Sequence, residues 1–78
     1  MKSIEIKFKT PEDTTEFINI CSSFISDINI YDGSIAIDAK SIISVFSLSQ
    51  SKSVRVEMIS EDKNEIDRFI EKIRKFEV

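Results

Sequence analysis

Ile4, Ile6 and Phe8 alternate with Glu5 and Lys7, the period of a strand with one face in a core and the other in water. The strand stops near Lys9. Thr10-Pro11-Glu12-Asp13 then reads as a helix start: Thr10 is a capping residue, Pro11 suits the first helical position, and the acids sit where the helix dipole favours them. Phe17, Ile20, Cys21, Phe24 and Ile28 follow at helical spacing, with Ile18 and Ile25 widening the stripe, which predicts a helix of about 14 residues reaching Ser26. After Asp27 the period returns to two. Ile28 and Ile30 lead into Tyr31, Ile35 and Ile37 lead into Asp38, and Asp32-Gly33 between them is the strongest short hairpin signal in the chain.

Ile42, Val45 and Phe46 recur at three and four, as in a helix of about two turns. Val54, Val56 and Met58 alternate with Arg55 and Glu57 as a fourth strand. Ser60 is the expected cap of a last helix with Ile66, Phe69, Ile70, Ile73 and Phe76 inward, Glu61, Asp62 and Glu65 early, and Lys72, Arg74 and Lys75 late. The prediction is a single α+β domain over residues 1–78 with element order βαββαβα. Its four-stranded antiparallel sheet has three helices on one face, because every strand alternates. Strand order does not follow from periodicity; a ferredoxin-like sheet shares the first six elements, and the brevity of the middle helix argues against it.

Composition narrows the functions open to this fold. The chain has 78 residues, 41% of them hydrophobic, which by size scaling leaves about 4,900 Å² of folded surface and room for one core. One cysteine and no histidine exclude a disulfide framework, a zinc cluster, Ser-His or Cys-His pairs and any phosphohistidine chemistry. Lys+Arg 11 against Asp+Glu 14 does not suit a protein that tracks a phosphate backbone. Apolar runs of at most three residues fall far short of a bilayer span. The expectation is a cytoplasmic domain with neither nucleic acid nor membrane as partner, needing no metal or cofactor. No nucleophile has an evident base, so an enzyme is not expected.

Several residues have plain structural readings. Cys21 in an apolar stripe acts as a small hydrophobe, and Tyr31 is a half-exposed strand residue beside the turn. Glu61, Asp62 and Glu65 suit a helix N-terminus, and Glu12, Asp13 and Glu16 are solvated acids on the first turns of another helix.

The informative segment is Lys40-Ser41-Ile42-Ile43-Ser44-Val45-Phe46-Ser47-Leu48. It resembles the seryl regulatory signature of HPr, the histidine-containing phosphocarrier of the bacterial sugar phosphotransferase system, in which Lys-Ser precedes a short helix with apolar residues at these intervals. The passage from Ser23-Phe24 to Asp27-Ile28-Asn29 is similar to the family's as well, and the element order matches along essentially the whole chain. The resemblance implies an open-faced sandwich with sheet order 1-4-2-3. It places Thr10 and Glu12 where the family carries its phosphorylated histidine and a nearby arginine, so a phosphohistidine relay is not expected. Ser49 stands where the family prefers Gly or Ala.

The resemblance further implies phosphorylation of Ser41 by the serine kinase that acts on HPr, then binding to a catabolite-control transcription regulator. It also implies that Ile42, Ile43 and Phe46 belong to the apolar surface partners use. The chemistry of Ser41 leaves two readings open. A phosphate there gains from the helix dipole and free N–H groups; equally, Ser41 simply caps the helix, one of 12 serines in the chain. The apolar trio either forms an interface or turns Ile42, Val45 and Phe46 to the sheet, with Ile43 the more exposed because neighbours on a helix lie about 100° apart. A constitutive interaction or dimerisation module, and a ferredoxin-like ligand-sensing domain, are the alternative functions; oligomeric state is not predicted.

Overall fold

The computed structural model describes residues 2–48 and 52–78; Ser49 lies outside them. Four strands, β1 (Ser3–Lys7), β2 (Asp27–Asp32), β3 (Ile35–Asp38) and β4 (Ser53–Ile59), form one antiparallel sheet in the order β1-β4-β2-β3. With β4 and β2 central, the ferredoxin-like alternative, which needs the first and third strands there, is set aside. Helices α1 (Pro11–Ser22), α2 (Ile42–Phe46) and α3 (Lys63–Ile73) cover one face, and a 3-10 turn (Arg74–Phe76) follows α3.

Strand alternation decides which face is covered. Ile4, Ile6, Ile28, Ile30, Val54, Val56 and Met58 point inward and are buried. Their neighbours Ser3, Glu5, Tyr31, Arg55 and Glu57 line the open face, where the Arg55 guanidinium stacks 4.3 Å from the Tyr31 ring centre and the Tyr31 hydroxyl donates to Glu57 at 3.3 Å. Above the sheet, Phe8, Phe17 and Phe76 meet edge to face with ring centres 5.1 to 6.2 Å apart, and Phe24 meets Phe69 in the same way at 5.4 Å. The total accessible surface is 4805 Å², close to the value expected from size.

The hairpin turns on Gly33, whose φ of +63° is the chain's one positive value among the described residues. Asp32 pairs with Ile35, so the two turn residues are Gly33 and Ser34, and positive φ at the first alone is the type II′ pattern.

Three expectations are corrected. α1 ends at Ser22, not Ser26: the Ser23 N–H bonds to the Ile20 carbonyl and the Phe24 N–H to that of Cys21, and the Ser23 hydroxyl donates to Ile20 O at 2.6 Å, drawing off the carbonyls that a further turn requires. Ile25 therefore leaves the apolar stripe and stands 96% exposed. The cap of α3 is Asp62, whose Oδ1 accepts from the N–H of Asn64 and Glu65; Ser60 instead accepts from the Asp62 N–H and donates to Glu65. Finally, β3 does not alternate cleanly, because it is an edge strand with Ile35 and Ala36 exposed and only Ile37 half-buried.

Glu65 ties three segments together. Its Oε1 accepts from Ser26 Oγ at 2.6 Å and Ser60 Oγ at 2.8 Å, joining the loop after α1 to the entry of α3. The Ser26 hydrogen bond, then that of Ser60, holds the carboxyl below its usual 4.5. A carboxyl depressed in the folded state contributes stability that is complete above its unfolded value and is lost as pH falls through the folded one. Chemical unfolding of wild type and Glu65→Gln is thus expected to differ most at neutral pH and to converge as acid protonates the folded-state carboxyl, below the value usual for a free glutamate. A gap independent of pH would mean that the ionised form is not what the serines hold.

Candidate functional site

Two helix starts carry the residues singled out by the sequence, and their chemistry differs. At α1, Thr10 occupies the cap with extended backbone (φ −141°, ψ 160°), and its Oγ1 accepts from the Asp13 N–H at 3.2 Å. Asp13 Oδ2 reaches back to the Lys9 N–H at 3.1 Å, closing a reciprocal cap. Glu12 is exposed beside it. A helix start ordinarily attracts anions, but two carboxylates already occupy this one, and no imidazole or guanidinium stands there to carry or steady a phosphoryl group. The end is a well-made cap, closed by the chain's own side chains.

At α2 the situation reverses. Ser41 is the N-cap residue, half-buried, yet its side chain makes no capping hydrogen bond to the helix; its Oγ donates instead to Ser44 Oγ at 3.1 Å. The simple capping role is therefore not what this hydroxyl does. No acid lies in the first turn. Lys40, just ahead, sends its ammonium back to the loop after α1, donating to Phe24 O at 2.7 Å and Ile25 O at 3.4 Å, so the two segments are pinned together.

α2 packs against α1 and β3 through a single fully buried side chain, Val45 at 1% exposure. Ile42 is 60% and Ile43 85% exposed, and Phe46 stands partly in solvent. The expectation that Ile43 is the more exposed of the pair holds. The reading that turned Ile42, Val45 and Phe46 together to the sheet does not, because a helix barely longer than one turn needs only one anchoring side chain to stay seated. Ser41, Ile42, Ile43 and Phe46 thus share one short helix, and the Lys40 bonds bring the loop carrying Ile25 to its start. Among the described residues no hydrogen bond or ion pair joins Thr10 or Glu12 to that helix.

Sequence reasoning missed Ile25 and the tether from Lys40. The signal for Ile25 was present in Ser22-Ser23 and Ser26-Asp27, polar pairs on either side of Phe24-Ile25 that suit a helix end better than a continued helix. Nothing in the sequence pointed to the tether. Cys21 is fully buried, and burial pushes its thiol up to about 12, so it is an inert part of the core. Among the described residues no group of acids and cysteine is arranged to hold a metal ion, and no helix is long and apolar enough to cross a membrane.

Sheet order β1-β4-β2-β3, three helices on one face and a bare opposite face define an HPr-like open-faced sandwich. Among solved structures the chain is similar to HPr-C-His from Thermoanaerobacter tengcongensis, at 26% identity and a TM-score of 0.76 over 96% of this chain and 89% of that one. It is also similar to the phosphocarrier protein HPr from Bacillus anthracis, at 17% identity and a TM-score of 0.72 over 99% and 94% of the two chains. The histidine-containing phosphocarrier protein of Mycoplasma aligns at 22% identity and a TM-score of 0.70 over 95% and 86%. No family model and no curated protein matches the sequence.

Proposed function

We propose that this chain is a non-catalytic regulatory protein of the phosphotransferase system, unable to carry phosphohistidine, switched at Ser41 and read through Ile42, Ile43 and Phe46. The supporting observation is the state of the Ser41 hydroxyl: at the start of α2, half-buried, and, among the described residues, bonded to another hydroxyl rather than committed to the helix backbone. The proteins of similar fold are named as phosphocarriers, but a chain with no histidine has no group to take up their phosphate in that way. In the proposed step the γ-phosphoryl group of ATP passes to Ser41 Oγ. The new P–O bond replaces the one to ADP, and the hydroxyl proton leaves to the kinase base. The product adds about two negative charges next to an exposed apolar surface, at an end of α2 that no acid occupies. The reader is a protein partner such as the catabolite-control regulator, and the setting is the cytoplasm.

Incubation with ATP and the serine kinase that acts on HPr is expected to add one phosphate per chain. Ser41→Ala abolishes it, and phosphoenolpyruvate with the general phosphotransferase enzyme adds none. Labelling that persists in Ser41→Ala, or an unlabelled wild-type chain, refutes the switch. In the latter case the exposed apolar trio favours a second reading, a constitutive interaction module in which partners bind with no modification.

A further inference from the structure

The two edges of the sheet are treated differently. On the β1 side the C-terminal segment folds over the edge: Glu77 bridges to Ile6 in antiparallel fashion, and the Val78 N–H donates to Glu5 O at 3.1 Å. On the β3 side no such strap is present among the described residues. Ile35, Ala36 and Asp38 are exposed, and the strand carries neither the lysine nor the proline that commonly blunts an edge.

The hydrogen-bond pattern identifies which groups point outward. The Ala39 N–H bonds to Ile28 O at 2.9 Å, and Ile30 pairs with Ile37 and Asp32 with Ile35. In an antiparallel ladder the residues facing the partner strand alternate, so Ile35, Ile37 and Ala39 turn their backbone groups to β2. Ala36 and Asp38 turn theirs to the open edge. The Asp38 carbonyl is already taken by the Ser41 N–H at 3.0 Å, which leaves the N–H and carbonyl of Ala36 at the centre of the exposed stretch.

We infer that β3 is a self-association edge: two copies pair antiparallel through β3 about a two-fold axis at Ala36, joining their sheets into one of eight strands. The occupant is a second copy because the edge is complementary to itself. With the axis at Ala36, that residue exchanges two N–H···O bonds with its own counterpart. Ile35, 61% exposed in the single chain, lies beside Ile37 of the other copy on the helix-covered face. Asp38 falls opposite Ser34, so the one charge of the strand meets a hydroxyl residue and not its own image. A four-residue edge falls well below the ~1,200 Å² of a stable interface, so the dimer is a weak one, forming toward about 1 mM chain. It stands independently of the function proposed above.

Sedimentation equilibrium of the full chain is expected to show monomer at about 10 μM and reversible dimer approaching about 1 mM. Ala36→Pro removes only an outward N–H, keeps every bond to β2, and is expected to remain monomeric throughout with far-ultraviolet circular dichroism unchanged. Ala36→Ser, which keeps the N–H, is expected to dimerise like wild type. Should Ala36→Pro fail to fold, wild-type amide exchange serves in its place: Ala36 exchange slows with rising concentration while that of residues on β1 does not. A wild-type monomer at about 1 mM, association that survives Ala36→Pro, or an Ala36 amide indifferent to concentration each overturns the inference.

Discussion

Phe17→Ala is expected to lower the stability of the fold by ~3–5 kcal/mol, the range for removing a buried aromatic ring. Phe17 is fully buried, and its ring meets the edges of Phe8 at 5.1 Å and Phe76 at 6.2 Å, so the substitution leaves a void between α1, the end of β1 and the turn that follows α3. At ~0.05–0.15 kcal/mol per residue the whole domain holds ~4–12 kcal/mol, so a loss of this size brings it close to unfolding at room temperature. Thermal unfolding is expected to fall by roughly 20 °C. Ile25→Ala is the natural comparison: it removes as apolar a side chain from a position 96% exposed and is expected to change stability by less than about 0.5 kcal/mol. A Phe17→Ala variant that unfolds within about 1 kcal/mol of wild type would mean the cluster is loosely packed and the chain's stability lies elsewhere.

That pair of residues also marks how far hydrophobic pattern can be trusted. Phe17 and Ile25 both fit one helical stripe, since Ile25 follows Cys21 by four and Ile18 by seven. Periodicity measures only where side chains would point if the helix continued. Whether it continues was settled by Ser23, which takes the carbonyl of Ile20 with its own hydroxyl. The strands were legible because a sheet with one bare face imposes strict alternation on β1, β2 and β4; β3, at the edge, has less core to face and its pattern blurs. The cap of α3 was misplaced by two residues because Ser60 and Asp62 are equally good capping types. Only the position of Glu65, drawn to Ser26 on another segment, turned Ser60 away from the role. Strand order was never in the pattern at all. It came from the likeness of Lys40 to Leu48 to a known signature, and the observed order β1-β4-β2-β3 agrees with it. The site on α2 was half legible. Its candidate residues could be named from the sequence, but which of them anchors and which is offered to solvent depends on how a five-residue helix lies on α1 and β3, and sequence spacing does not encode that.

Two substitutions, two positions apart on α2, separate anchoring from recognition. Val45→Asp places a carboxylate at a site 1% exposed, and a buried charge without a partner costs ~3–5 kcal/mol. Either the domain unfolds or α2 lifts away from α1 and β3; both outcomes remove the geometry around Ser41, so phosphorylation of Ser41 is expected to fall with the fold. Ile43→Asp puts the same carboxylate at a position 85% exposed and early in the helix, where the dipole accepts negative charge, so stability is expected to stay within about 0.5 kcal/mol of wild type. Its effect belongs to binding: affinity of the Ser41-phosphorylated chain for the catabolite-control regulator is expected to drop at least about tenfold, as when an apolar anchor is exchanged for a charge at the centre of an interface. Denaturant unfolding and titration of the two variants side by side read the two effects separately. Equal destabilisation by both would mean that Ile43 supports the helix from inside. Unchanged binding in a folded Ile43→Asp chain would mean that partners approach from another side. The expected split, one variant unfolded and the other folded but poorly bound, is what a short helix held by a single side chain predicts, because its remaining apolar residues are then free to serve as a surface.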